Sequence, residues 1–389
     1  MELPRLTDAE AQLLQQMREH LAGEIRAADG ALPFDRFMET ALYAPGLGYY
    51  VNGRRKFGEA GDFVTAPELS PLFSRCVARQ VGECLDLVGG DTVLEVGAGS
   101  GKMAAEMLLE LAALDRLPRN YLLLELSPGL QQLQRESLKA SVPQWLPRVA
   151  WLQDLPDSGF RGVVVGNELL DAMPVQRFRR WRGGWQELSV AGDAGRMHDR
   201  WTEIRSPGLV GALAALWPDD AAVAEGYSSE LNLRLAPWLR AVAERMQRGY
   251  LLLIDYGYSR DEYYHPQRSQ GTLICHFRHR AHADPYLLPG LQDITANVDF
   301  SALATAGSDA GFSLAGFTTQ AHFLIDSGLQ ALLVASDPAD IKRHLQRMQG
   351  VKKLTLPGEM GERFKVMALA MDAPPVLSGF RSRDLRGRL

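Results

Sequence analysis

The chain has 389 residues, 46% of them hydrophobic and 23% charged, with a formal net charge of −5. That length suits one large α/β domain with insertions or two domains, and the acidic balance excludes the basic footprint expected of a nucleic-acid binder. Its three cysteines, Cys76, Cys84 and Cys275, form no C-x-x-C pair, which argues against a disulfide framework and a zinc site and for a reducing compartment.

The first helix is expected to open at Thr7, because Thr7-x-x-Glu10 has capping-box spacing and Leu13, Leu14, Met17, Leu21 and Ile25 follow at helical intervals. The early acids are unlike a signal peptide, and no later apolar run is long enough to cross a bilayer, so a soluble, cytoplasmic protein is expected. A second helix starts after Pro33 and ends before "YAPGLGYY". A glycine-punctuated stretch then leads to Ser70-Pro71, an N-cap and first helical position, with Phe73, Val77, Val81 and Leu85 on one face and Gly89-Gly90 at the stop. Everything to residue 90 reads as helices and loops. From there strands and helices alternate: 92–96, a helix from about Gly101 to Leu114, 120–126, a helix after Ser127-Pro128, 149–154 and 162–168. The sheet resumes at 249–257, with late strand candidates at 317–325 and 363–371. Apolar strands separated by helical patterns imply a mainly parallel sheet covered on both faces. Between its halves, 175–190 turns at Gly183-Gly184 like a hairpin, and 207–248 reads as largely helical. The expected division is an N-terminal helical part (1–89), a core (90–180 and 248–389) and an inserted substrate-side segment (181–247).

The segment "LEVGAGSGKM" carries the chemistry. A P-loop needs glycine and Ser/Thr where Val96 and Met103 stand, and the third glycine of a dinucleotide fingerprint falls on Lys102, so both phosphate motifs fail. What remains is Glu95 followed by Gly97, Gly99 and Gly101 at a strand-to-helix turn. Glycines let the backbone approach a ligand closely, and a carboxylate beside them suits a ligand presenting an ammonium, such as S-adenosylmethionine. Glu125, at the end of the second strand, can accept ribose hydroxyls. Asp154, at the end of the third, can accept from an adenine amino group. All three acids are expected at the carboxyl ends of their strands, where open α/β sheets hold ligands.

On "GDFVTAPELSPLF" (61–73), "LEVGAGSG" (94–101), "GNELLDAMPVQRF" (166–178), "LIDYG" (253–257), "PGLQDITANVDF" (289–300) and "GERFKVMAL" (361–369), the chain resembles the MidA-like S-adenosylmethionine-dependent methyltransferases, whose mitochondrial branch is complex I assembly factor 7. The resemblance implies the Rossmann-like class I methyltransferase fold, an α/β seven-stranded sheet with an N-terminal helical region and insertions. It implies S-adenosyl-L-methionine as cofactor and a protein substrate, with a respiratory-complex subunit among the candidates; it leaves the oligomeric state open. It makes Gly61, Asp62 and Phe63, with Thr65 and Pro67, a lid loop: Asp62 meets the methionine ammonium and Phe63 excludes water. Thr65-x-x-Glu68 also has capping-box spacing. Asn297 departs from the family, where histidine is common, which bears on acceptor choice.

The resemblance also directs attention to "GNELLDAMP", directly after the fourth strand. Asn167 and Glu168 fall at the strand end, and Asp171 lies about one helical turn on, so two carboxylates are expected to flank one pocket. Paired carboxylates match the donors of a guanidinium, which makes Glu168 the expected clamp, assisted by Asp171. Asp255 in "LIDYG" ranks second. The histidines of "CHFRHRAH" lack a carboxylate or cysteine to complete a metal set, and a solvated Arg-rich loop is expected there. Arginine as acceptor comes mainly from the resemblance. The alternative reading is a non-catalytic assembly factor that binds the cofactor and holds a client, a role that exposed Trp181, Trp185 and Trp201 would equally serve.

Overall fold

The run Thr92–Val96 is buried along its whole length in the computed structural model, which describes residues 4–54, 64–334 and 341–389. This strand (β1) joins Asn120–Leu124 (β2), Val149–Leu152 (β3), Phe160–Asn167 (β4), Met246–Tyr258 (β5), Ser313–Thr319 (β6) and Phe364–Met371 (β7) in one sheet of order β6-β7-β5-β4-β1-β2-β3. From β5 to β3 every pairing is parallel, and only β7 runs against its neighbours. A two-residue strand, Val298–Asp299, extends the sheet beside β5. The chain therefore has the expected α/β architecture with a mainly parallel sheet. Its strand order reverses between β1 and β4, which creates the switch point where such sheets hold ligands.

Helix punctuation follows the local chemistry. Ser70 Oγ accepts from Leu72 N at 3.3 Å to start the Pro71–Val88 helix, and Gly89 ends it at φ 59°. The helices Lys102–Ala113 and Pro128–Ser141 lie where sequence periodicity places them. One strand expectation fails: after Thr319 the chain turns into a helix, Gln320–Asp326. The ladder ends at Thr319 opposite Lys365, and strand β7 begins one residue earlier at Phe364, so beyond Gln320 it offers no partner.

The chain forms two units, one of residues 64–170, 236–259 and 298–389 around the sheet, the other of 1–63, 171–235 and 260–297. These boundaries differ from the expected 1–89 and 181–247. Phe73, Cys76, Val77 and Val81 of the Pro71–Val88 helix share a core with Val163, Val165 and Leu252, so that helix belongs to the sheet. Cys275 and Ile294 instead pack with Met17, Leu21 and Phe37, which draws 260–297 into the other unit.

In that second unit the Thr7–Glu10 capping box opens the helix Asp8–Ala27, as expected. The first ninety residues are not free of strand: Leu32–Pro33 pairs antiparallel with Gly184–Gly192. The hairpin of Gln176–Trp181 and Gly184–Gly192 turns through Arg182 and Gly183, both at positive φ (52° and 71°), the mirror-image geometry that suits strand twist. The stretch 207–248 is mixed: between the helices Leu209–Leu216 and Leu235–Arg245, Ser228–Leu231 pairs with the strand Gln176–Trp181. That strand carries Glu230, buried and 3.4 Å from Arg177. The "CHFRHRAH" segment is a hairpin, Ile274–Phe277 with Arg280–His282, and its turn residue Arg278 meets Glu10 at 2.8 Å. Of the three tryptophans expected at the surface, Trp181 is exposed, whereas Trp185 stacks on Trp217 at 5.2 Å. Trp201 is half-buried beneath the guanidinium of Arg179, 4.6 Å from its ring. Among the described residues no helix is long and apolar enough to cross a membrane.

Candidate cofactor and acceptor site

Beyond β1 the backbone takes three left-handed steps, at Gly97 (φ 72°), Gly99 (φ 54°) and Gly101 (φ 79°). Gly97 N donates to Leu124 O at 3.1 Å, anchoring the loop to the last residue of β2. At Gly101 a Cβ would lie 3.1 Å from the Cα of Gln134, so close packing and backbone conformation both demand glycine there. Lys102, which fits neither phosphate motif, is committed to a carboxylate: its Nζ pairs with Glu68 Oε2, while Ser100 Oγ donates to Glu68 Oε1 at 2.5 Å. Glu68 thereby ties the Ala66–Leu69 helix to the glycine loop. Thr65 is the N-cap of that helix with Pro67 in its first turn, but its side chain makes no capping bond, and the Glu68 carboxylate expected to complete the box is turned to the loop. Gly61, Asp62 and Phe63 lie outside the described residues.

The three strand-end acids have different environments. Glu125, just past β2, is 8% exposed; its Oε1 accepts from Ser127 N at 2.9 Å and its Oε2 from Gln134 Nε2 at 3.1 Å. The same Gln134 amide donates to Gly99 O at 3.1 Å and accepts from Trp151 Nε1 at 3.0 Å, so one buried side chain braces glycine loop, β2 end and β3 together. Sequence reasoning missed Gln134; a polar residue on the apolar face of Pro128–Ser141, at the Leu130 and Leu138 positions, was the available signal. Asp154 is exposed, two residues beyond β3. Glu95 does not stand on the rim as expected. Alternation along β1 turns it inward with Val93, and it is fully buried, bonded to the Tyr121 hydroxyl, which also reaches Met107 Sδ at 3.5 Å. Burial pushes the Glu95 carboxyl up to about 7, with the Tyr121 hydrogen bond opposing part of the rise.

At the end of β4, Glu168 has φ 50°, a left-handed conformation costly for a residue with a Cβ. Its N–H donates to Ile254 O at 2.9 Å, and Asn167 Nδ2 donates to its Oε1 at 3.1 Å. Asn167 Oδ1 is buried and has no hydrogen-bond partner among the described residues. The helical turn expected to follow does not form; 168–175 is a run of bends and turns. Asp255 holds that run in place, its Oδ2 accepting from Leu170 N at 2.9 Å and its Oδ1 from Tyr256 N at 2.9 Å, which makes it a positioning group.

Asp171 belongs to the other unit and is 5% exposed. Its carbonyl accepts from Ala296 N at 3.0 Å, and Asn297 N in turn donates to Thr272 Oγ1 at 3.0 Å. Nearby, Tyr50 donates to Asp293 Oδ1 at 3.0 Å and stacks on Tyr43, while the Tyr43 hydroxyl donates to Ala172 O at 2.9 Å. Burial first, and then the Asp293 carboxylate, raise the Tyr50 phenol well above the usual tyrosine range, so it remains a proton donor at neutral pH.

Comparison with known proteins converges on one chemistry. Residues 76–318 match a sequence family of S-adenosyl-L-methionine-dependent methyltransferases. A relative from Danio rerio, named protein arginine methyltransferase NDUFAF7, mitochondrial, is 30% identical over 90% of this chain and 86% of its own. The Homo sapiens protein of that name is 28% identical over 91% and 83%. A COG1565 superfamily member from Burkholderia thailandensis, solved bound to S-adenosyl-homocysteine, is 43% identical, with a TM-score of 0.94 over 100% of both chains.

Proposed function

Because this chain belongs to the family of S-adenosyl-L-methionine-dependent methyltransferases, we propose that the group it methylates is an arginine side chain of a protein. S-Adenosyl-L-methionine is the cofactor, and when bound it supplies an electrophilic methyl group on a sulfonium. The residues present fit it: three glycines at positive φ open the backbone, and Lys102, which follows them, is paired with Glu68. In the proposal the backbone from Gly97 to Gly101 receives the methionine part, Glu125 the ribose hydroxyls and Asp154 the adenine edge. Asp62 and Phe63, with Thr65 and Pro67, cover it.

Two supports favour arginine as the acceptor. One is the name carried by the relatives, protein arginine methyltransferase. The other is the strained, braced Glu168, the observation that carries the reading at this site. Backbone strain persists only where the surroundings over-determine it, and here the Ile254 carbonyl, the Asn167 amide and the Asp255-pinned turn do so. In the proposed reaction the Glu168 carboxylate accepts two hydrogen bonds from the guanidinium and aligns one terminal nitrogen. It then takes the proton which that nitrogen must lose on methylation. Asn167 keeps the carboxylate oriented. The assisting role of Asp171 rests on its place in the sequence, three residues after Glu168.

The test is Glu168→Gln. Methyl incorporation into protein should fall by at least ~100-fold, the scale of a lost proton acceptor, while S-adenosyl-homocysteine binds as to the parent. Unchanged incorporation would remove Glu168 from the chemistry. A parent protein that binds the cofactor and holds a client but transfers no methyl group would replace catalysis with the assembly-factor alternative.

A further inference from the structure

Within the unit of residues 1–63, 171–235 and 260–297, and lined by its residues alone, lies a cavity of about 560 Å³. Its volume falls in the range of ligand pockets. Arg18, Arg177, Arg196 and His198 are among the residues that line it, together with Asp199 and Asp284.

The balance of donors and acceptors is uneven. Asp199 Oδ1 already accepts from the Tyr286 hydroxyl at 2.6 Å, and Asp284 Oδ1 from Tyr286 N at 2.9 Å. Arg18 spends one donor on Leu287 O at 3.0 Å, a bond between two lining residues. Arg177 Nε is buried without a hydrogen bond; the nearest acid, Glu230, is 3.4 Å away in poor geometry and gives its other oxygen to Thr272 N at 2.8 Å. Each guanidinium carries five donors, so the lining offers many more donors than the two acids accept. With Arg177 set against Glu230, Arg18 and Arg196 are the lining guanidiniums that face Asp199 and Asp284.

We propose that this cavity docks an acidic side chain of the protein acceptor, an Asp or Glu in a peptide segment distinct from the methylated residue. A carboxylate pairs with the guanidinium forks, and peptide N–H groups suit the remaining acceptor capacity of Asp199 and Asp284. A phosphate dianion fits worse, because the same two carboxylates repel its second charge. The inference rests on the acceptor being a protein.

The test uses the full chain without methyl donor and the peptide Ac-Gly-Glu-Gly-Glu-Gly-NH2 in low-salt calorimetry. Binding is expected, at least ~10-fold weaker for the Gln-for-Glu peptide and for the Arg18→Gln, Arg196→Gln double variant, and weaker as salt rises. Parent-like circular dichroism and an unchanged thermal unfolding profile of the double variant show that it remains folded. No heat with the Glu peptide, equal binding of Glu and Gln peptides, or equal binding by parent and variant would overturn the proposal. So would citrate or inorganic phosphate binding more tightly than the peptide, which would make this a small-anion site. Since no methyl transfer is read, failure here leaves the arginine reading standing, and failure of that reading does not remove peptide binding.

Discussion

Replacing Glu95 by Gln should make the protein more stable at neutral pH and alter how its stability depends on pH. The carboxyl is fully buried, and among the described residues its hydrogen-bond partner is the neutral phenol of Tyr121 while its Oε1 has none. Its pKa rises from 4.5 to about 7 in the folded chain, chiefly through burial. Between these values the unfolded chain has released this proton and the folded chain has kept it, so stability falls as pH rises. The contribution is fully present below 4.5, is lost as pH climbs through about 7, and is constant above that. At about 1.4 kcal/mol per tenfold, the rise from 4.5 to about 7 amounts to roughly 3 kcal/mol. Gln cannot ionise and still accepts from Tyr121, but its amide adds a buried donor at a cost of about 1 kcal/mol. Above the folded pKa, then, Glu95→Gln should exceed the parent by about 2 kcal/mol, and at acid pH it should be no more stable than the parent. Urea unfolding of both proteins across this range measures the difference directly. A parent-minus-variant difference that does not change with pH would refute the reasoning. Affinity for S-adenosyl-homocysteine should stay within ~2-fold, whereas a direct ammonium contact would cost ~10-fold or more on removal.

Gln134→Leu orphans the Trp151 N–H and removes a donor from Gly99 O and Glu125; a loss of roughly 2–4 kcal/mol with weaker cofactor binding is expected, checked by denaturant unfolding and calorimetry. Gly101→Ala forces a Cβ into a left-handed turn against the Gln134 backbone and should cost about 1–3 kcal/mol, read as a lowered Tm. Glu68→Gln releases Lys102 and alters a carboxylate that is itself only 6% exposed and bonded to Ser100, so stability should fall by about 1–3 kcal/mol in denaturant unfolding. The unpaired ammonium should also weaken S-adenosylmethionine more than S-adenosyl-homocysteine, since only the former carries a sulfonium; equal effects in calorimetry would count against a cationic donor beside this loop.

The elements that were legible in the sequence are those whose signals are local. Thr7-x-x-Glu10, Ser70-Pro71, Gly89 and the Gly97–Gly101 spacing each specify a cap or turn through bonds within a few residues, and β1 lies where its apolar run begins and ends. What escaped depends on partners distant in the chain. The Thr319 strand end is set by where β7 starts, and Ser228–Leu231 becomes a strand because the edge of Gln176–Trp181 offers it a ladder. At the site, Glu68 has a plausible local partner in Thr65 but is taken by Ser100 and Lys102 instead. Glu95 sits in the motif at the expected place, yet strand alternation decides which way it faces, and the motif alone does not encode that direction. Position after the fourth strand draws attention to Glu168 in the sequence, but its left-handed backbone is visible only in three dimensions.

The most direct test of the central claim is mass spectrometry of a cellular protein extract treated with this enzyme and S-adenosylmethionine bearing a labelled methyl group. The account predicts label on the guanidinium nitrogen of an arginine within a protein, absent when Glu168→Gln replaces the parent. Label confined to another residue type or to small molecules, or none at all while the cofactor still binds, would contradict it.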